Sequence, residues 1–161
     1  MLQAKKFAYD EINSILDVHW YNPLKPYEVI SSIAAIRNHE DFLAVAQSSK
    51  RIRNILTKAN QDLEAKAVDP SLFEHDSERT VHQATLRAGR KSKSAAAKGN
   101  YEGAFLALAS MRKPIDQFFD DVLVMAEDAA IRQNRLLLLR QIHELFMRLA
   151  DVSQLVSTHD A

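Results

Sequence analysis

The chain has 161 residues, 47% of them hydrophobic and 26% charged, with 21 basic and 21 acidic side chains and no cysteine. This is the size of one ordinary domain, or of two small subdomains sharing a core, with a globular rather than a disordered composition. Without cysteine there are no disulfides, thiolate metal sites or thiol nucleophiles, and no stretch approaches the roughly 20 apolar residues of a membrane span.

Phe7, Ile12, Ile15 and Leu16 recur at helical spacing and predict a helix running to about Val18. His19 to Pro26, with two prolines, reads as a turn. Tyr27, Ile30, Ile33, Ala34 and Arg37 form the inner face of the next helix. Asn38 reads as an N-cap or a linker residue before a third, with Phe42, Val45, Ala46, Ser49, Ile52 and Leu56 inward. The pattern weakens past Asn60, and Val68 to Phe73 reads as a loop and the best internal boundary. Asp76 or Ser77 can cap a helix reaching Lys98, which Gly99-Asn100 breaks. Tyr101 to Met111 predicts another, with Phe105, Leu108 and Ala109 inward. Pro114 suits the first turn of the next, whose apolar set is Ile115, Phe118, Phe119, Val122 and Met125. A long last helix starts near Asp128. Its stripe is Ile131, Leu138, Ile142, Leu145 and Leu149, with Arg132, Arg140 and Glu144 on another face. No period-two pattern persists, and three glycines would serve a many-turned sheet poorly. The expected fold is an all-α helical bundle of about six to seven helices, divided into 1–67 and 68–161.

Little in the chain promises covalent chemistry. Asp120-Asp121 and Glu127-Asp128 are adjacent pairs, and adjacent side chains on a helix diverge by about 100°. They read as helix-terminal charge and solvated faces, as do Asp116 and Asp128 near helix starts. The histidines at 19, 39, 75, 82, 143 and 159 form no metal-ligand spacing on a helix. Gly89, Gly99 and Gly103 make no phosphate loop, and no serine sits in a nucleophile elbow.

The positive signals are basic. Lys50 to Lys58 contains Lys50, Arg51, Arg53 and Lys58 with no acid, and Ile52 and Leu56 turn their own face inward. Arg87 to Lys98 adds Arg87, Arg90, Lys91, Lys93 and Lys98, again with no acid, while acids collect in Asp116 to Asp128. A chain of zero net charge can still offer phosphates a positive surface, although such runs are also ordinary solvated faces. Phe118 and Phe119 read as core; Trp20 and Tyr21 are equally suited to packing or to stacking on bases.

The run from Pro114 to Asp128, Pro-Ile-Asp-Gln-Phe-Phe-Asp-Asp-Val-Leu-Val-Met-Ala-Glu-Asp, continues into Ile131-Arg132-Gln133-Asn134-Arg135-Leu136 and ends in Leu145-Phe146-Met147-Arg148-Leu149-Ala150-Asp151. It resembles the C-terminal part of the β subunit of bacterial heterotetrameric glycyl-tRNA synthetase, a DALR-type anticodon-binding domain. Tyr9 to Asn13, Phe42 with Lys50 to Leu56, and Val68 to Phe73 are also similar to that subunit. The tetrad that names the domain is degenerate here, as Asp128-Ala129-Ala130-Ile131-Arg132.

The resemblance implies a C-terminal piece of a cytoplasmic α2β2 ligase. The α subunit would hold the aminoacylation site and use ATP and Mg. This chain would have no cofactor and no catalytic residues, and its partners would be tRNA-Gly and the α subunit. Charge and resemblance together put Lys50, Arg51 and Arg53 on phosphates. They put Arg132, Asn134, Arg135 and Arg140 at or near the anticodon surface, although Arg135 falls on the inward side and could instead bridge Asp120, Asp121 or Asp128. The competing expectation is a helical protein-interaction or scaffolding module without RNA binding.

Overall fold

A computed structural model describes residues 25–36, 38–60, 63 and 66–148, with the backbone alone for 25–30. The helix expected at Phe7 to Val18, together with Trp20, Tyr21, Arg37 and Leu149, lies outside the described residues. Among the described residues the structure is all-α, as expected, with no strand. The helices are α1 (Lys25–Ile36), α2 (Glu40–Ala59), α3 (Asp76–Ala97), α4 (Tyr101–Ala109), α5 (Arg112–Asp121) and α6 (Ala129–Met147), and a 3-10 turn occupies Pro70–Leu72. None of these helices is long and apolar enough to cross a membrane.

The ends of the helices follow local chemistry, with three adjustments to the expected boundaries. α1 already includes Lys25 and Pro26, because a proline in a first turn lacks only an N–H that has no intrahelical acceptor. The N-cap of α2 is His39 rather than Asn38, and Glu40 and Asp41 in the first turn oppose Lys58 in the last, as the helix dipole favours. α3 begins after His75 because Glu78 turns back and accepts the backbone N–H groups of Glu74 and His75 at 2.7 and 2.9 Å. The expected break at Gly99 holds, and α2 ends before Asn60, where the pattern weakens: both backbones are left-handed, with φ of 75° and 44°. Asp128 caps α6, accepting from the amides of Ala130 and Ile131.

α2 and α3 each pack on the same three helices, α4, α5 and α6, and α1 packs on α4. Helices before and after the Val68 to Phe73 segment therefore share one core. Phe42 of α2 meets Phe105 of α4 edge-to-face at 5.8 Å, and Phe118, Leu108 and Ile115 are fully buried nearby in the same cluster. In α6 every residue from Asn134 to Leu139 is buried. The single stripe expected there is thus too narrow: Leu136, Leu137 and Leu139 are inside as well, because α6 is enclosed by its neighbours along its middle. Met125 also departs from expectation. α5 ends at Asp121 and Val122 is extended (φ −114°, ψ 124°), so the helical face does not continue to Met125. Val122 and Val124 go in, while Leu123 and Met125 are 68% and 49% exposed.

Candidate nucleic-acid interface

The outward face of α2 is built by the spacing of its core residues. Phe42, Val45, Ser49 and Ile52 anchor the helix, which leaves Lys50, Arg51, Arg53, Asn54 and Lys58 exposed. Lys50, Asn54 and Lys58 follow one another at helical i, i+4 steps and line a shallow concavity with Gln47, Arg51 and Ile55. Among the described residues, no carboxylate pairs with Lys50, Arg51 or Lys58. Arg51 lies over the ring of Phe119, 3.9 Å from its centroid. That contact fixes the guanidinium plane against α5 without neutralising its charge. Phe119 is only partly buried, whereas Phe118 is fully buried as expected.

The α6 group is arranged differently, and here the expectation is corrected. Asn134 is 2% exposed; its amide donates to the carbonyl of Asp69 at 2.9 Å and its Oδ1 accepts the Asp69 N–H at 2.7 Å. Arg135 is inward, as its place in the stripe allowed, but it bridges neither Asp120, Asp121 nor Asp128. Its Nε donates to Glu78 at 3.1 Å, its Nη2 to Glu74 at 2.8 Å and its Nη1 to the carbonyl of Leu123 at 2.7 Å. Arg132 donates to the carbonyls of Ala126 and Glu127. Arg140 donates to the carbonyls of Leu63 and Lys66 and pairs with Glu144 at 3.6 Å. These four side chains staple loops to α6. Asn134 and Arg135 are buried with every polar side-chain atom engaged inside the fold, which leaves no exposed donor to read a base edge.

Two carboxylates are held below the ordinary value of 3.8. Asp41 is lowered chiefly by the hydrogen bond from Arg112, at 2.7 Å across from α5, and Asp69 by the Ser71 hydroxyl and then its amide. Both are structural contacts, one tying α2 to α5 and one capping the 3-10 turn. Among the described residues no cluster of His, Asp and Glu could hold a metal ion.

α3 carries the second basic face, with Arg87, Arg90, Lys91, Lys93 and Lys98 all exposed. Missed in the sequence were Arg148 and the half-exposed Leu86, which adjoin this face, and the pairing of Arg51 with Phe119. Side-chain spacing within one helix carries no signal for a partner supplied by another.

The exposed basic runs of α2 and α3 thus lie on an all-helical bundle. Residues 45–152 match the DALR anticodon binding domain family, and the chain belongs to it. It is 36% identical to the glycine–tRNA ligase beta subunit of Marinobacter nauticus, over 96% of this chain and 23% of that protein. The beta subunits of Ralstonia nicotianae and Vibrio cholerae are 35% and 36% identical, over 97% and 95% of this chain and 22% of each protein. The chain thus spans under a quarter of the length of these relatives.

Proposed function

We propose that this chain is the anticodon-binding part of a glycyl-tRNA synthetase β subunit, that it holds tRNA-Gly, and that it works with an α subunit in an α2β2 enzyme. ATP and Mg would be used by the α subunit, in the cytoplasm. The observation that carries the reading is the α2 face: Lys50, Arg51 and Lys58 stand exposed with no described carboxylate partner, within a chain of the anticodon-binding family. Cations released from counter-acids are what a phosphate backbone selects.

Titration with tRNA-Gly and a non-cognate tRNA at two salt concentrations tests it. Lys50→Ala and Arg51→Ala should weaken both tRNAs about equally and reduce the salt slope by about one unit per charge. If both variants bind like the parent with the same slope, α2 is not the phosphate face. The residues that supply glycyl transfer would belong to the rest of the enzyme, so glycyl-adenylate formation by this chain alone would overturn that division.

One observation favours a protein-docking role beside this one. Leu123 and Met125 project from a loop whose carbonyls are pinned by Arg135 and Arg132, among Asp120, Asp121, Glu127 and Asp128. Such an acidic, apolar knob repels phosphates and suits a basic-rimmed protein surface.

A further inference from the structure

A groove runs between α3 and α6, walled by Leu86, Arg90 and Lys93 on one side and by Gln141, Leu145 and Arg148 on the other. It encloses about 250 Å³, below the ~300–1,000 Å³ of clefts that bury whole small-molecule ligands. Its floor is apolar: Leu86 is 43% exposed and Leu145 lies beneath Gly89. Its rim is cationic. Arg90, Lys93 and Arg148 are exposed and pair with no described carboxylate; Glu144, beside them on α6, pairs with Arg140. No acid occurs between Arg79 and Glu102. Gln141 Oε1 accepts from Nδ1 of the His82 ring at 3.0 Å, so its amide N–H groups remain for a ligand.

Gly89 is an independent sign that the groove is kept open. It sits inside a 22-residue helix, where glycine is less stable than alanine. Its backbone does not require glycine, since the only described glycine with positive φ is Gly99. Packing does not require it either, because an added Cβ would meet only Leu145 Cδ1, at an ordinary 3.8 Å. What the missing side chain leaves is open space over an apolar floor.

We infer that this groove binds one nucleotide of single-stranded RNA, with the base on Leu86 and Leu145 against a guanidinium and the phosphate on Lys93. The inference rests on the tRNA-binding reading and deepens it with a second contact, remote in sequence from α2. An unstacked nucleotide unites an anion with a planar, largely apolar ring, which matches rim and floor together. A duplex backbone would need the rim alone.

The test uses fluorescence anisotropy with a seven-nucleotide RNA of the tRNA-Gly anticodon-loop sequence and with a paired RNA duplex. Gly89→Leu fills the groove and removes no charge, so it should weaken the heptamer about tenfold with the salt slope unchanged and leave duplex binding alone. Lys93→Ala should reduce the heptamer's slope by about 0.7. Leu86→Glu, at an exposed site, repeats the first result should Gly89→Leu misfold by circular dichroism. If these variants bind the heptamer like the parent while Lys50→Ala and Arg51→Ala weaken tRNA, the groove assignment fails and the tRNA reading stands. If the parent binds neither heptamer nor tRNA-Gly, both fall. Displacement of the heptamer by hexaglutamate at equal concentration would make the groove a plain anion site and overturn the nucleotide assignment.

Discussion

Arg135→Met isolates the most deeply buried ion pair among the described residues. The guanidinium is 4% exposed and its main partner, Glu78, is 0% exposed, so removing the arginine leaves a carboxylate with no counter-charge in the interior. Breaking a buried pair from one side costs about 3–5 kcal/mol. The structure argues for the lower end, since Glu78 keeps two backbone donors, from Glu74 and His75. The carbonyl of Leu123 also loses its donor, while Glu74, at 53% exposure, returns to water. A loss of about 3 kcal/mol is a large share of the ~5–15 kcal/mol that holds a domain together. At about 2–4 °C per kcal/mol for this size, Tm should fall by roughly 6–12 °C. Urea and thermal unfolding followed by circular dichroism measure both quantities. The double variant Arg135→Met with Glu78→Gln removes the stranded charge and should be more stable than Arg135→Met alone, and the full double-mutant cycle should give a coupling of about 0.5–3 kcal/mol. A loss within about 0.5 kcal/mol of parent, the size of an ordinary surface change, would refute the claim that this arginine holds the bundle together.

Asp41 and Asp69 both have lowered pKa values, so their contribution to stability is complete above 3.8 and is lost as pH falls through their folded values. Arg112→Ala should therefore separate from the parent in urea unfolding near neutral pH and converge with it well below 3.8. Asn134→Ala strands the N–H and carbonyl of Asp69 and should cost about 1–3 kcal/mol, while tRNA preference of the folded fraction, read by filter binding, stays unchanged. Gly99→Ala forces a side chain to φ 75° and should cost about 1–2 kcal/mol; Gly89→Ala, in ordinary helical backbone, should gain about 0.5–1 kcal/mol. Chemical denaturation of the two variants should give opposite signs.

Most of the fold was legible because its signals are local. Helical periodicity named Phe42, Val45, Ala46, Ser49 and Ile52 as the inner face of α2, and all five are buried. Gly99 marked a stop because a left-handed residue is favourable only where the side chain is short or missing, whereas at Asn60 only the fading of the apolar pattern showed. The failures lie where the deciding partner is remote or unexpected. Glu78 caps α3 from inside the helix, a part usually read from Ser, Thr, Asp or Asn ahead of it. Leu136 to Leu139 fill every side of α6, which is visible only once its neighbours surround it.

The site was half legible for a related reason. An arginine in a sequence is a charge without a direction, and this chain uses arginine in two ways. Arg51 and Arg53 flank the buried Ile52 on α2 and are both exposed, with Arg51 lying over the Phe119 ring. Arg132, Arg135 and Arg140 lie on an enclosed helix, where a guanidinium withdrawn from water needs carbonyl or carboxylate partners; Leu63 and Lys66, Glu74 and Glu78, and Leu123, Ala126 and Glu127 supply them. The acid-free runs at 50–58 and 87–98 distinguish the two uses better than any single arginine does. A stapling arginine needs acceptors close by, and an acid-free stretch offers no carboxylate of its own for that purpose.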